Sequence, residues 1–258
     1  MDDRREQFSS RMAVPSLPPM LILLYLLAIH LFLGIALWRS EKFAAVRHRL
    51  LGNSPEEVRP ASYLQMRRFH QIQDGNVEDE SVILFGDSLV QGLLSCRIDA
   101  KAVNFGIGRD DSRGGLERMR SHESLDRARA VLISFGINDL SIQRPASEVV
   151  DNISRMASLP PKGARVLVNA VLPIDEFVFT KVSNSRILEL NEALENLCNE
   201  RDDLEFCNPW RLMIDEDGNL KDEFHNGDGL HLNSTGNEVW INELRHILEA
   251  PTPAVPAP

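Results

Sequence analysis

Hydrophobic and polar positions along the chain fall into three regimes. From Met20 to Trp38 no residue carries a formal charge and only His30 interrupts the apolar run. At 1.5 Å per residue a helix of that length spans roughly 28 Å, close to the ~30 Å hydrocarbon thickness of a bilayer, so the run predicts a transmembrane anchor. A cleaved signal peptide is the competing reading. The run exceeds the usual roughly 7 to 15 apolar residues of such a peptide, and no small-x-small cleavage site follows it. A lone imidazole in the span faces a helix partner or reaches toward an interface. From Glu41 to Glu80 the pattern turns mixed and charged. Within it Tyr63, Met66, Phe69 and Ile72 recur at every third position, predicting a helix over Ala61–Ile72 whose apolar stripe drifts around its axis, then an acidic loop at Asp74–Glu80.

The third regime begins at Ser81, where short apolar runs alternate with amphipathic stretches. Ser81–Phe85, Ala102–Phe105, Ala130–Phe135, Arg165–Val171 and Leu204–Cys207 have the composition of strands. Near Gly115–Ser121, Ser147–Ser158, Asn184–Arg201 and Thr235–Leu248 the apolar residues recur at helical spacing. Strands alternating with helices require crossover connections, which predicts an α/β fold: a three-layer α/β/α sandwich around a mostly parallel sheet of about five strands. The expected organisation is a polar tail over 1–19, the anchor over 20–38, a linker with its lead-in helix over 39–80, the α/β domain over 81–249, and a disordered Pro-rich tail over 250–258.

Charge and cysteine content exclude some partners. A net charge of −10 with no cluster of Lys and Arg argues against a phosphate-tracking surface, so no nucleic-acid partner is expected. No polybasic run adjoins the apolar helix, so electrostatic recognition of lipid is not expected either. Arg4, Arg5 and Arg11 precede that helix while Arg39, Lys42, Arg47 and Arg49 follow it, and this near-tie leaves the side of the membrane open. The working expectation is a single-pass protein with an extracytoplasmic domain. Cys96, Cys198 and Cys207 fit neither a disulfide framework nor a zinc spacing; buried free thiols are expected, with a Cys198–Cys207 bridge as the alternative.

Candidate chemistry sits at the strand ends, where open parallel sheets collect their ligands. Gly86-Asp87-Ser88-Leu89 breaks the first strand with a turn that delivers a hydroxyl, and Leu89, Val90, Leu93 and Leu94 then continue at helical spacing. Ser88 therefore stands at a strand-to-helix junction, where unpaired N–H groups favour a developing anion; an N-cap serine in a plain turn is the structural alternative. Gly106 and Asn138 stand just past the second and third strands. Asp228-Gly229-Leu230-His231 precedes the last helix, and a carboxylate three residues before a histidine can hold that histidine as a base for the serine proton.

Taken together, GDSL at Gly86–Leu89, the glycine of NFGIG at Gly106, GIND at Gly136–Asp139 and DGLH at Asp228–His231 resemble blocks I, II, III and V of the SGNH hydrolases, the GDSL lipase and esterase superfamily. The blocks occur in the family's order, and the likeness covers most of Ser81–Leu248 but neither the apolar helix nor the linker. The resemblance implies a flavodoxin-like sheet and a catalytic set of Ser88 as nucleophile, His231 as general base and Asp228 as its orienting carboxylate. It also implies an oxyanion hole built from the backbone N–H of Ser88, the backbone N–H of Gly106 and the side-chain amide of Asn138. No metal or organic cofactor is needed. The implied substrates are esters, from acetylated sugars to lysophospholipids and thioesters, and a bilayer tether fits lipid or cell-envelope glycan esters.

Other features read as structural. Asp87 and Asp139 flank catalytic positions, where a second carboxylate would oppose an oxyanion, so both are expected to bond loop N–H groups. Gly106-Ile107-Gly108 starts a dinucleotide fingerprint, but Asp111 stands where its third glycine belongs. His225, Asp228 and His231 lack a fourth metal ligand. Asp215–Asn219 reads as an acidic turn rather than a calcium loop, and Trp210 and Phe224 read as core. The leading hypothesis is a membrane-anchored serine esterase; the alternatives are a binding module on the same fold and an acyltransferase acting on an alcohol.

Overall fold

The computed structural model describes residues 18–39 and 59–250. Residues 1–17 of the expected polar tail, residues 40–58 of the linker and residues 251–258 of the Pro-rich tail fall outside the described residues. The chain divides into two units, 1–60 and 61–258.

In the first unit, helix α1 (Pro19–Arg39) is apolar on every side and exposed along its length. It has the length and composition of a membrane span, and a signal sequence near an N-terminus meets the same description. His30 Nδ1 lies 2.6 Å from the Leu26 carbonyl one turn back, so the polar ring is satisfied by its own helix.

The second unit opens with α2 (Ala61–Asp74). Its buried positions are Tyr63, His70 and Asp74, whereas Phe69 and Ile72 of the expected apolar stripe face outward. The helix docks through polar contacts: the Asp74 carboxylate receives the Glu123 and Ser124 N–H groups at 2.7 and 3.2 Å, and the His70 ring lies 5.1 Å from that of Phe105. The apolar stripe drifts off the docked face in the second half of the helix for this reason.

Five strands follow: β1 (Val82–Gly86), β2 (Ala102–Gly106), β3 (Ala130–Ser134), β4 (Arg165–Asn169) and β5 (Leu204–Cys207). They form one sheet in the order β2-β1-β3-β4-β5, parallel at every pairing. The continuous apolar runs of β1 and β3 are buried throughout, as a sheet covered on both faces requires. Between the strands lie α3 (Ser88–Gln91), α4 (Ser112–Met119), α5 (Ile137–Ser141), α6 (Ala146–Met156) and α7 (Asn184–Asn199); α8 (Trp210–Met213) and α9 (Ser234–Glu249) come after β5. Helix α6 packs against both α4 and α7. Leu244 and Leu248 of α9 meet Val82, Leu84, Leu132 and Leu167 of the sheet. Trp210 and Phe224 are buried in the core as expected.

Register places the site. Gly86 at the end of β1 pairs with Gly106 on one side and Ser134 on the other, so the loops leaving β1, β2 and β3 emerge side by side.

Candidate active site

The loop after β1 turns sharply into α3. A Cβ on Gly86 would lie 2.2 Å from Val90 Cγ2 and 2.7 Å from the Ser134 carbonyl oxygen, so only glycine lets strand and helix approach this closely. Asp87 caps α3, its Oδ1 accepting the Leu89 N–H at 2.9 Å. Burial pushes the Asp87 carboxyl up to about 7, against that hydrogen bond. Asp139 is likewise occupied by structure: it receives the Ser112 N–H and hydroxyl at 3.0 and 2.7 Å and meets Arg144 Nε at 2.7 Å, while burial raises its carboxyl to about 6. Both flanking aspartates hold loops, as the sequence suggested.

Across the strand ends, Ser88 Oγ lies 2.9 Å from His231 Nε2, and His231 Nδ1 lies 2.6 Å from Asp228 Oδ2. Asp228 Oδ1 also accepts the Leu230 and His231 N–H groups at 3.0 and 2.8 Å. Burial opposes the Asp228 charge, but the His231 ring and these two N–H groups outweigh it, and its carboxyl titrates below the usual range. A carboxylate on Nδ1 puts the ring proton there and leaves Nε2 bare toward the serine hydroxyl, the tautomer a general base requires.

The oxyanion side differs in one respect from the expectation. Asn138, in the first turn of α5, donates from Nδ2 to the Asp110 carbonyl at 2.9 Å, which fixes the amide plane and leaves its second N–H for another acceptor. Gly106, however, spends its N–H on Asn104 Oδ1 at 2.8 Å. A Cβ there would come within 2.3 Å of Gln91 N, so the glycine serves the packing of α3 on β2. The segment that approaches Ser88 comes later. A Cβ on Gly108 would lie 3.8 Å from Ser88 Cβ, and its N–H is held by Gln91 Oε1 at 2.6 Å.

Residues 84–239, more than half of the chain, match the profile of the GDSL-like lipase/acylhydrolase family. The chain belongs to that family. No curated protein matches it. Among solved structures it is similar to a candidate platelet activating factor from Streptococcus pneumonia, with 21% identity over 72% of this chain and 92% of that one and a TM-score of 0.67. A GDSL-like lipase from Bacteroides thetaiotaomicron is 20% identical, covering 71% of this chain and 97% of its own at a TM-score of 0.63. The lipase/acylhydrolase from Enterococcus faecalis is 22% identical over 65% and 95%, with a TM-score of 0.57. At these identities the neighbours establish the fold.

This GDSL-like hydrolase also has site supports that the sequence reading passed over. Arg118, fully buried in α4, donates to the Gly86 carbonyl at 2.9 Å and to the Phe105 carbonyl, and its Nε meets Asp110 Oδ2 at 2.6 Å. One guanidinium thus joins the ends of β1 and β2 to the loop that carries Asp110. Tyr63 on α2 donates its hydroxyl to Asp110 Oδ1 at 3.1 Å. A lone arginine among the apolar positions of a helix, here Arg118 between Leu116 and Met119, was the available signal.

Remaining candidates resolve simply. Asp111 caps α4 by accepting the Gly114 N–H at 2.8 Å, as an N-cap and not part of a dinucleotide loop. Asp215 Oδ1 accepts the Asp217 and Asn219 N–H groups at 3.0 and 2.9 Å, an acidic turn closed on itself. Cys198 and Cys207 are buried free thiols, and burial raises the pKa of each; Cys96 is free and exposed.

Proposed function

We propose that the chain is a serine esterase that hydrolyses carboxylic esters, acyl or acetyl, through an acyl-enzyme on Ser88. The observation that carries this reading is the unbroken relay from Ser88 Oγ through His231 to Asp228, with contacts of 2.9 and 2.6 Å, in a chain of the acylhydrolase family. Ser88 Oγ attacks the ester carbonyl as its proton passes to His231 Nε2, and the carbonyl π electrons move onto oxygen. The imidazolium then gives that proton to the departing alcohol. Water enters, loses a proton to the same nitrogen and releases the acid, which restores the hydroxyl.

The oxyanion is held by the Ser88 N–H and by the second N–H of Asn138, beside the loop that carries Arg109. Arg109 lies between Gly108, which neighbours Ser88, and Asp110, whose carbonyl receives Asn138. Its φ of 66° is a left-handed turn that reorients the loop between those two anchors. Helix α1, retained as an anchor, tethers an extracytoplasmic domain near lipid or envelope glycan esters. Its uniformly apolar surface supports this reading.

The test is an acyl series of p-nitrophenyl esters and acetylated sugars, with fluorophosphonate labelling of the wild type beside Ser88→Ala. Turnover falling roughly 10⁴-fold or more in Ser88→Ala, with loss of labelling, is expected. Equal turnover by that variant refutes the nucleophile, and stoichiometric labelling without turnover of any ester refutes the hydrolase.

A further inference from the structure

His225 stands just before the loop that carries Asp228 and His231, and its side chain is 5% exposed. Its Nδ1 accepts two backbone N–H groups, from Gly227 at 3.1 Å and from Gly229 at 3.2 Å. A ring nitrogen accepts only when it carries no proton, so the proton of the neutral ring sits on Nε2. That nitrogen is buried without a hydrogen-bond partner and faces Asp222 Oδ1 at 3.5 Å and Asp175 Oδ2 at 3.7 Å. Two carboxylates on one side and two N–H donors on the other select the same tautomer.

Asp175, Asp222 and His225 could be taken for a cation site, since their ligand atoms lie within 4.8 Å of one another. The tautomer argues otherwise. A metal on Nε2 needs the lone pair there, which would drive the proton onto Nδ1 and point it at two N–H groups. The ring is built as a clamp.

What it clamps is a segment with little stiffness of its own. Gly227 and Gly229 flank Asp228 with φ of 96° and 73°, so glycine stands on both sides of the orienting carboxylate. His225 Nδ1 fixes both amide nitrogens, and the Asp175 N–H holds the Gly229 carbonyl at 2.8 Å from the opposite side. These ties act together with the Leu230 and His231 N–H groups on Asp228 Oδ1 to hold the carboxylate against His231.

We propose that His225 is a positioning residue: its neutral Nε2–H tautomer pins Gly227-Asp228-Gly229 and so keeps the His231 base aimed at Ser88. The inference rests on the esterase reading above. Losing that acceptor leaves the Gly227 and Gly229 N–H groups unheld on this side and frees the loop. The charged groups facing the ring are Asp175 from the loop after β4 and Asp222 from the 3₁₀ turn Asp222–Phe224, with Asp228 on its own loop.

The experiment compares the full chain with His225→Leu and His225→Asn, whose side-chain oxygen can occupy the place of Nδ1. Hydrolysis of p-nitrophenyl acetate is followed from pH 5 to 9, and ¹⁵N shifts of the His225 ring and hydrogen exchange at Gly227 and Gly229 are measured alongside. His225→Leu is expected to lower kcat by about 10²-fold, the scale of a small misplacement of a reacting group, with KM unchanged and faster exchange at both glycines. His225→Asn recovers most of kcat. A ring proton found on Nδ1, an unchanged kcat in His225→Leu, or a His225→Asn as impaired as His225→Leu each overturns the clamp. Should the wild type turn over no ester, the ring shifts and glycine exchange decide the clamp by themselves.

Discussion

Replacing Asn138 with alanine isolates the oxyanion contribution from the rest of the site. At rest the side chain donates to the Asp110 carbonyl at 2.9 Å, and on the esterase reading its other N–H is kept for charge that exists only in the tetrahedral state. The ground-state loss is therefore one hydrogen bond, about 1 kcal/mol of stability, because Arg118 and Tyr63 still hold the Asp110 carboxylate. The transition-state loss is larger: one oxyanion donor is worth about 2.7 to 4 kcal/mol, or roughly 10² to 10³ in kcat. The two effects separate in steady-state kinetics on p-nitrophenyl acetate combined with urea unfolding. The expected result is kcat down by that factor, KM within about twofold because the substrate carbonyl is bound before the charge develops, and labelling by fluorophosphonate slowed but still stoichiometric. A fall in kcat below tenfold would refute the assignment of Asn138. So would a rise in KM that accounts for the whole loss in kcat/KM.

Two further outcomes follow from buried groups. Gly106→Ala keeps the backbone N–H but drives a Cβ to within 2.3 Å of Gln91 N, so we expect a loss of activity with a loss of stability of about 1 to 3 kcal/mol by thermal or urea unfolding; an intact fold with selectively reduced kcat would return the glycine to the oxyanion hole. Burial, with Arg118 and His122 nearby, lowers the His70 pKa from 6.5 to about 4. The unfolded chain thus takes up this proton first, so the stability contributed by neutral His70 is intact above pH 6.5 and declines as pH falls toward 4. At about 1.4 kcal/mol per pKa unit the full loss is about 3 kcal/mol, and His70→Leu should flatten that part of the unfolding-versus-pH curve; an unchanged slope in the variant counts against it.

How much of this was legible in the sequence depended on whether a residue acts through its type or through its neighbours. The runs of β1 and β3 announce themselves because a strand covered on both faces must be apolar throughout, and their parallel pairing follows from the intervening helices. Ser88, Asp228 and His231 were readable because the spacing of Asp228 and His231 on one loop is itself the geometry. Gly106 misled because the destination of a backbone N–H is decided by the partner that reaches it, here Asn104 two residues earlier. The docking face of α2 was only partly legible because, besides Tyr63, it buries His70 and Asp74, which are polar by type. His225 was legible in the sequence only as a candidate metal ligand, because its contacts are with the amides of glycines, which have no side chain to advertise them.

The Arg118 guanidinium has a consequence for redesign. It grips two strand ends and the Asp110 carboxylate at once, and so ties the turn that carries Ser88 to the 107–110 loop. A graft that imports another enzyme's 107–110 segment to alter substrate range must bring a carboxylate at position 110 with it. Without that acid the arginine is left as an uncompensated cation in the interior, a fault that typically costs about 3 to 5 kcal/mol before any new substrate is met.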